Sequence, residues 1–329
     1  MGDFIREEQI RPKNLFQKYL TLCQSDIKIY FQNKWQDMEC PTCGNIASYQ
    51  FIKSGFTYVN CWNCKNLFAS PRPDFKSFET YYTSSDSANY WSSEFLPEVE
   101  QQRIKFVWAP KATEVLKIIS TYRLDDQVEF IIDIGGSKGL FLKEFIKLKP
   151  KIRAINIEPN IAATSNISDI AVIPKNLEQV INDEMPEGNK IFTCFELFEH
   201  VHNPKIFLNH VSELMSSQDL LILSTLNSKG LDIKILWDNS PSINPPFHIN
   251  FFNLESMKKL GEMVNLKTLK AYTPGKLDMD ILMNNQQNIN NIVIRKTLKF
   301  MGSFGRYLFQ KVISKINQSS HMWIVYVKV

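Results

Sequence analysis

From residue 128 onward, short apolar runs typical of buried strands alternate with segments that have the spacing of helices. The runs are rich in β-branched residues, and in the segments between them apolar residues recur every three or four positions. The predicted strands are 128–134, 152–157, 170–173, 190–195, 219–225 and 266–272, with 322–329 as a last strand. Strands that alternate with helices indicate a parallel sheet covered by helices on both faces, which is an α/β fold.

Helical spacing also appears outside this alternating region. We predict helices over 10–33 and 95–121, with Pro110 as a break or kink in the second. The segment 280–317 is largely helical in spacing and basic. The chain is therefore divided into an N-terminal helix (1–36), a cysteine module (37–74), a helical linker (75–125), an α/β ligand-binding domain (126–279), a helical insert (280–318) and a final strand of the sheet (319–329).

Composition narrows the function classes only moderately. The chain has 329 residues, enough for about two domains, and a net charge of +4 that does not require nucleic acid as a partner. It contains no apolar run long enough to span a membrane, and its first residues lack a signal-peptide pattern. Four of the six cysteines form CxxC pairs, which indicates a metal site in a reducing compartment. We therefore expect a cytoplasmic protein.

A glycine turn follows the first strand of the α/β domain. Asp133 precedes Gly135 and Gly136, and Gly139 leads into a helix, so backbone N–H groups there are free to meet a ligand. The next strand ends at Glu158, 19 residues after Gly139, where a nucleotide-binding fold places the acid that binds a ribose. The glycine spacing does not fit a pyrophosphate loop, and Asp133 suits a ligand with an ammonium group. The alternative is an ordinary βαβ turn.

The cysteine module contains two knuckles with the spacing of a zinc site. Cys40 and Cys43 form one pair and Cys61 and Cys64 the other, so four thiolates can close a tetrahedral Zn²⁺ site. All four positions are filled by protein, so the metal would fold the module and not catalyse. Reduced core cysteines and a redox CxxC are the alternatives. The module has little basic charge, which disfavours nucleic acid as its partner.

An acidic and histidine-rich stretch follows the fourth strand of the domain. Glu196, Glu199 and His200 can share one face of a turn at the carboxyl end of that strand, where open α/β sheets bind ligands. His248 lies further along, ahead of a helix start. These residues could hold a divalent cation. Alternatively, His248 or His202 could act as a general base without metal, or Glu199 and His200 could cap a helix.

These motifs resemble those of known methyltransferases. The turn from Asp133 to Gly139, with Glu158, resembles motif I and the ribose-binding acid of the class I S-adenosylmethionine (SAM) methyltransferases, although Ser137 replaces the family's usual middle glycine. The order of the later motifs resembles the ubiquinone-biosynthesis O-methyltransferase group. Small-RNA 2′-O-methyltransferases share the Glu-x-x-Glu-His…His constellation and use it to hold a divalent cation. The cysteine module resembles the front end of methyltransferases in bacterial sugar pathways.

The resemblance implies a Rossmann-like, seven-stranded class I methyltransferase sheet with an N-terminal helical and zinc-ribbon module, and SAM as the cofactor. The implied SAM-binding residues are Asp133, Gly135, Gly136, Ser137, Gly139, Glu158, Pro159, Asn176, Leu177 and Phe195. The implied ligands of a catalytic divalent cation are Glu196, Glu199, His200 and His248, of which Glu199, His200 and His248 are the candidate catalytic residues.

The leading hypothesis is O-methylation of a small or sugar-linked acceptor in surface-polysaccharide or secondary-metabolite biosynthesis. A C-methyltransferase of nucleotide-linked deoxysugars is one rival, but such chains usually carry a further domain and only about 50 residues follow Asp278. An RNA methyltransferase is disfavoured by the modest charge. A non-catalytic scaffold is disfavoured by the intact motifs.

The insert 280–318 has mixed apolar and basic faces. It could form a lid, a homodimer contact or a substrate contact, touch a membrane surface or a lipid-linked acceptor, or simply pack on the sheet.

Overall fold

A computed structural model of the chain describes residues 5–32, 35–122, 127–160, 164 and 169–329. Its strands are β1 (Trp35–Gln36), β2 (Ala47–Lys53), β3 (Phe56–Cys61), β4 (Leu67–Ala69), β5 (Arg72–Pro73), β6 (Phe130–Ile134), β7 (Arg153–Ile157), β8 (Ala171–Ile173), β9 (Lys190–Phe195), β10 (Leu220–Leu226), β11 (Asn250–Phe251), β12 (Leu266–Tyr272) and β13 (His321–Lys328). Its α-helices are Glu7–Ile10, Lys13–Tyr30, Phe75–Ser84, Asp86–Tyr90, Leu96–Arg103, Ala109–Tyr122, Leu140–Leu148, Pro204–Leu214, Leu231–Leu236, Leu254–Glu262, Asp278–Asn284, Ile292–Phe300 and Ser303–Lys315.

Seven strands form one sheet in the order β12-β13-β10-β9-β6-β7-β8. This confirms the predicted α/β fold and its seven-stranded sheet. The sheet is not wholly parallel as predicted, because β13 pairs antiparallel with both β10 and β12. The chain leaves β12 at the carboxyl edge of the sheet and returns from the insert to the same edge, so β13 must run in the opposite direction. Residue His321, at the start of β13, therefore lies beside Leu226, at the end of β10.

The sheet is covered on both faces, as expected for strands that are mostly apolar. Strands β6, β9 and β10 are buried along their whole length. One face packs against the helices Pro204–Leu214 and Leu254–Glu262, and the other against Ala109–Tyr122 and Leu140–Leu148. Their apolar side chains lie on the inward faces, which is what the three-to-four spacing predicted.

The helical linker is unbroken at Pro110, where a break or kink was predicted. Pro110 lies at the second position of Ala109–Tyr122, directly after a π-helical turn over Ile104–Trp108. A wide turn at this point accommodates a residue that has no N–H group, so the helical path continues past the proline.

The cysteine module joins the main body through a shared sheet and a shared aromatic core. Strands β2, β3 and β4 are antiparallel, and β11 extends their sheet by pairing with β4. The core beneath combines side chains of the helix Lys13–Tyr30, of the module and of residues 226–251. Folding of the module and placement of β11 are therefore linked.

The insert between β12 and β13 contains three helices. Asp278, which is 2% exposed, closes the insert at its base: its carboxylate accepts hydrogen bonds from Ser320 N (2.7 Å), Gln310 Nε2 (2.8 Å) and the Ser319 hydroxyl. Leu298 and Ile313 pack into a small core with the helices Leu231–Leu236 and Asp278–Asn284. Among the described residues, no helix combines the length and the apolar character needed to cross a bilayer.

Candidate active site

The glycine turn lies at the carboxyl end of β6 and is too crowded for side chains at two positions. Gly135 has a φ of 71°, and an added Cβ would lie 2.7 Å from Leu197 Cδ2. At Gly136 an added Cβ would lie 2.5 Å from Asn156 Oδ1 and 2.6 Å from Asp133 Oδ2. Gly139, with a φ of 64°, begins the helix that follows. The glycines are therefore required for close approach and for left-handed backbone.

Ser137 adopts a left-handed conformation, with a φ of 47°. Two hydrogen bonds hold it there. Its backbone N–H donates to Glu158 Oε2 (2.9 Å), and its carbonyl accepts from Asn156 Nδ2 (2.9 Å). A non-glycine residue in this region costs about 1–2 kcal/mol, which these two hydrogen bonds help to offset.

The two predicted carboxylates of the cofactor site differ in their surroundings. Glu158 follows β7, and its second oxygen accepts from Asn160 N (2.9 Å); burial raises its pKa. Asp133 is 3% exposed beneath the turn and accepts from Thr193 Oγ1 (2.7 Å). Burial raises the pKa of Asp133 to about 7. Glu158 borders the turn, whereas Asp133 supports it from below.

The remaining predicted cofactor residues lie at the same edge of the sheet. Pro159 directly follows Glu158, and Asn176 starts the turn after β8 and donates to Glu79 Oε1 (3.3 Å). Leu177 is buried in the core. Phe195 ends β9, with its ring 4.8 Å from that of Phe141. Their contact with SAM stays a prediction.

Glu199, His200 and His248 come together at the carboxyl edge. Each offers a ligand atom within 4.8 Å of the others, and the two imidazole rings lie 5.0 Å apart. The backbone N–H of Ile249 donates to the carbonyl of Glu199 (3.0 Å), so the two loops are joined directly. One carboxylate and two imidazoles are a ligand set typical of divalent transition metals. These three residues are called the metal triad below.

Neighbouring groups orient the metal triad. His248 Nδ1 lies 2.7 Å from the carbonyl of Ser242, which only accepts, so Nδ1 carries the proton and Nε2 the lone pair. Thr225 Oγ1 donates to Glu199 Oε2 (3.0 Å). Burial lowers the pKa of His200 to about 3 and that of His248 to about 4, so both imidazoles are neutral. Burial, with the charge of Glu196, raises the pKa of Glu199 to about 7.

Glu196, the fourth predicted ligand, has other partners. It accepts from Lys111 Nζ (2.7 Å) and Ser224 Oγ (2.9 Å) and lies 3.2 Å from His321 Nε2. Burial opposes ionisation, but Lys111 and His321 hold the pKa of Glu196 well below its usual range. Glu196 therefore lies beside the metal triad as an ionised, compensated carboxylate.

Lys111 and His321 were missed in the sequence. Nothing in their local patterns marks them, since Lys111 lies in a linker helix and His321 in a β-branched strand. The antiparallel direction of β13 is the signal for His321, because it places the first residue of that strand at the carboxyl edge.

His202, considered as a general base, faces away from the metal triad. Its Nε2 lies 2.9 Å from the carbonyl of Pro73 and 3.2 Å from Gln36 Nε2. Its ring packs near Phe75 and Phe78. His202 thus joins the loop after Glu199 and His200 to the cysteine module.

The four cysteines of the module converge as predicted. All four sulfur atoms lie within 4.8 Å of one another, and Cys43 Sγ is 3.6 Å from Cys61 Sγ. A tetrahedral site with Zn–S bonds of about 2.3 Å has an S–S spacing of about 3.8 Å, so the geometry fits zinc. Cys64 N also donates to Cys61 Sγ (3.3 Å).

The cysteine module contacts the loops that carry the metal triad. Tyr58 Oη donates to the carbonyl of His248 (2.7 Å). Arg72, which is 1% exposed, donates to the carbonyl of His202 (3.0 Å) and to Asn250 Oδ1 (3.1 Å). Asn250 Nδ2 in turn donates to the carbonyl of Val201 (2.7 Å). The loop of Glu199 and His200 and the loop of His248 are therefore both positioned by hydrogen bonds with the cysteine module.

Six buried side-chain polar atoms have no hydrogen-bond partner among the residues that the structure describes, and three of them are the donors Tyr82 Oη, Arg103 Nε and Trp108 Nε1. The Arg103 guanidinium lies 5.7 Å from the centre of the Trp108 ring, and Lys111 Nζ lies 5.0 Å from it. Lys111 also donates to Glu196, so the Arg103 and Trp108 side chains lie close to that carboxylate. Buried donors without a protein partner are sites where a ligand or water is expected.

The sequence comparisons agree with this geometry. A family model described as a methyltransferase domain matches residues 108–271. The ubiquinone biosynthesis O-methyltransferase of Xanthomonas euvesicatoria pv. vesicatoria is 27% identical over 117 residues, covering 34% of this chain and 48% of that protein. The mitochondrial ubiquinone biosynthesis O-methyltransferase of Schizosaccharomyces pombe is 26% identical over 132 residues, covering 35% and 48%. The chain thus spans about half the length of the curated relatives it matches.

Among solved structures, the plantazolicin methyltransferase BamL in complex with a desmethyl plantazolicin analogue and S-adenosylhomocysteine (SAH) aligns with a TM-score of 0.49 and 13% identity, covering 76% of this chain and 93% of that one. The family match contains the glycine turn, Glu158 and Glu199–His200, all at the carboxyl edge of the sheet. Residues 108–271 therefore match the methyltransferase-domain family, and the chain is similar in this region to ubiquinone biosynthesis O-methyltransferases.

Proposed function

We propose that this chain is a SAM-dependent methyltransferase, that it acts on a hydroxyl group of a small or sugar-linked acceptor, and that a divalent cation on the metal triad assists it. The convergence of Glu199, His200 and His248 carries the proposal. The triad lies at the sheet edge that also holds the glycine turn, so acceptor and cofactor would meet between them.

The cofactor would be held by the residues that shape and border the turn. SAM supplies an activated methyl group when bound. Glu158 would accept hydrogen bonds from the ribose hydroxyls, and the bond from Ser137 N keeps its carboxylate beside the turn. Asp133 and Asn156 would support the turn from below. Such positioning is a large part of catalysis for an in-line methyl transfer.

The metal triad would lower the pKa of the acceptor hydroxyl. An alcohol is a weak nucleophile at neutral pH, and coordination to a divalent cation acidifies it. Neutral His200 and His248 are in the protonation state that ligands require, and Ser242 directs the lone pair of His248. A buried Glu199 beside ionised Glu196 also favours a positive charge at this position.

A metal-free route is the second candidate. His248 Nε2 carries a lone pair and could accept the proton of the hydroxyl as a general base. Burial lowers the pKa of His248 to about 4, which makes it a weak base at neutral pH. This favours the cation-assisted route.

The unpaired donors near the site support a polar acceptor. Tyr82, Arg103 and Trp108 could bind hydroxyl or anionic groups of a sugar-linked molecule. We place such a reaction in surface-polysaccharide or secondary-metabolite biosynthesis in the cytoplasm, where the free cysteines would remain reduced. Transfer to a carbon of a deoxysugar, or to RNA, would use the same cofactor site.

Metal analysis of the purified protein tests the cation-assisted route. We expect two metal ions per chain, of which His248→Ala loses one and keeps the zinc of the cysteine module. His210→Ala is the matched control. His210 lies on the helix Pro204–Leu214, and its Nε2 is 2.9 Å from the Val180 carbonyl, so it is a histidine outside the metal triad. One ion per chain in all three proteins, with activity insensitive to chelation, would favour the metal-free route.

A further inference from the structure

The outer surface of the insert is strongly apolar. Large apolar side chains that are 40–86% exposed cover the helices Ile292–Phe300 and Ser303–Lys315 and their ends. They are Ile292, Val293, Phe300, Phe304, Leu308, Phe309, Val312 and Ile316. We call these eight residues the insert surface. Soluble proteins seldom expose contiguous apolar groups of this size without a partner.

The insert surface is separate from the face that packs on the protein. Leu298, Gln310 and Ile313 are the buried residues of the two helices. Phe304, Leu308 and Val312 are four residues apart, so they form one stripe along their helix, on a side that does not include Gln310 and Ile313. The exposed apolar groups are therefore additional to those that fold the insert.

Positive charge surrounds this apolar surface. Residues 291–317 contain no Asp or Glu, and their six basic residues are Arg295, Lys296, Lys299, Arg306, Lys311 and Lys315. The whole chain has a net charge of +4, so subtracting these six charges leaves −2 for the rest. The positive charge is therefore concentrated on this segment.

This combination selects among the partners such a surface could have. A second copy of the chain, paired through the same surface, would bring six positive charges on each side together, which is unfavourable. Nucleic acid would meet the charges, but aliphatic Val293, Leu308 and Val312 offer it no stacking surface. An anionic lipid bilayer meets both features, because its headgroups attract the charges and its acyl boundary accepts the apolar groups.

The insert lies at the functional edge of the sheet. It leaves β12 after Tyr272 and returns at His321, which contacts Glu196 beside the metal triad. A membrane at the insert surface would bring lipid-linked acceptors to the same side of the protein as the site.

We propose that the insert surface docks the enzyme on an anionic lipid bilayer, with Phe300 and Phe304 entering the headgroup region and the flanking lysines binding lipid phosphates. The docking rests on the insert alone, and does not depend on the acceptor or on the metal triad.

Vesicle co-sedimentation of the full-length protein tests the docking. We expect binding to vesicles of phosphatidylcholine with phosphatidylglycerol, weak binding to phosphatidylcholine alone, and loss of binding at high salt. Phe300→Ser/Phe304→Ser and Lys296→Glu/Lys299→Glu should each reduce the partition coefficient by about tenfold or more. Ile29→Ser/Ile206→Ser is the control, since both residues are 59–64% exposed but lie elsewhere, and it should bind as the wild type.

Several results would overturn the proposal. Equal sedimentation with both vesicle types, or wild-type binding by both insert variants, would show that the insert surface does not contact lipid. A dimer that the phenylalanine variant converts to monomer would assign the surface to a second copy. Tight binding of an RNA oligonucleotide that vesicles do not displace would assign it to nucleic acid. SAH binding by each variant verifies that it is folded. If the docking proposal fails, the proposed methyltransferase function is not affected.

Discussion

At the residue scale, the glycine turn depends on residues without a Cβ, because an added Cβ at Gly135 or Gly136 would clash with neighbouring side chains. Gly135 and Gly136 could be recognised in the sequence, because only glycine allows other groups to approach the backbone this closely. The partners of that approach, Asn156 and Leu197, could not be recognised, because they reach the turn from β7 and from the loop after β9. The left-handed φ of Ser137 could not be predicted from the sequence either, since it depends on hydrogen bonds with Asn156 and Glu158, in and directly after β7.

Gly136→Ala should weaken cofactor binding. An added Cβ would lie 2.5 Å from Asn156 Oδ1 and 2.6 Å from Asp133 Oδ2, so the turn or the buried carboxylate must move. We expect SAH affinity to fall by at least about tenfold and the free energy of unfolding by about 1–3 kcal/mol. Calorimetry and urea titration measure the two effects. Gly302→Ala is the control, because nothing lies within 4 Å of its added Cβ, and there both should change little.

Ser137→Gly should stabilise the protein. Relief of the left-handed strain, about 1–2 kcal/mol, exceeds the added entropy of the unfolded chain, about 0.4–1 kcal/mol, so a net gain of about 1 kcal/mol is expected. Thermal unfolding measures the gain. Ser54→Gly is a matched comparison, since its φ is also 47° but it lies in the turn between β2 and β3. A loss of SAH affinity in Ser137→Gly alone would show that the serine hydroxyl itself binds the cofactor.

At the element scale, the strands and their order of motifs were predictable, but the contacts between distant elements were not. The runs that form β6, β9 and β10 are mostly apolar, so strand formation is encoded locally. Lys111 and His321 meet Glu196 only through packing of a linker helix and an antiparallel strand. No local pattern encodes such contacts.

Arg72→Ala should loosen the two loops of the metal triad. The Arg72 guanidinium binds the His202 carbonyl, Asn250 Oδ1 and the Ala69 carbonyl (2.9 Å), and its removal leaves buried acceptors unpaired. We expect a loss of about 2–4 kcal/mol in the free energy of unfolding, with zinc content unchanged. Arg295→Ala, an exposed arginine, should cost less than about 0.5 kcal/mol. Equal effects of the two changes in urea titration would contradict this role of Arg72.

At the scale of the whole molecule, the cysteine module and the methyltransferase domain share one sheet through β11. The fold of each part could be inferred separately, because each has its own motif. Their connection could not, since β11 has two residues and is recognisable only by its partner β4.

Removal of zinc should therefore affect the metal triad more than the cofactor site. If the module holds zinc as proposed, removal of the ion should unfold it, and the contacts of Tyr58 and β4 with the His248 loop should then be lost. We expect a chelated or Cys61→Ser protein to lose methyl transfer and cation binding while it retains SAH affinity within about threefold. Calorimetry with SAH and metal analysis separate the two sites. Equal loss at both would mean that the module supports the entire domain.

Calorimetry with SAH on the wild type and on Glu158→Ala is the most direct test of the central claim. The wild type should bind one SAH per chain, and loss of the charged acceptor for the ribose hydroxyls should weaken binding by at least about tenfold. Absence of SAH binding by the folded wild type, or equal affinity in Glu158→Ala, would contradict the assignment of this turn as the SAM site.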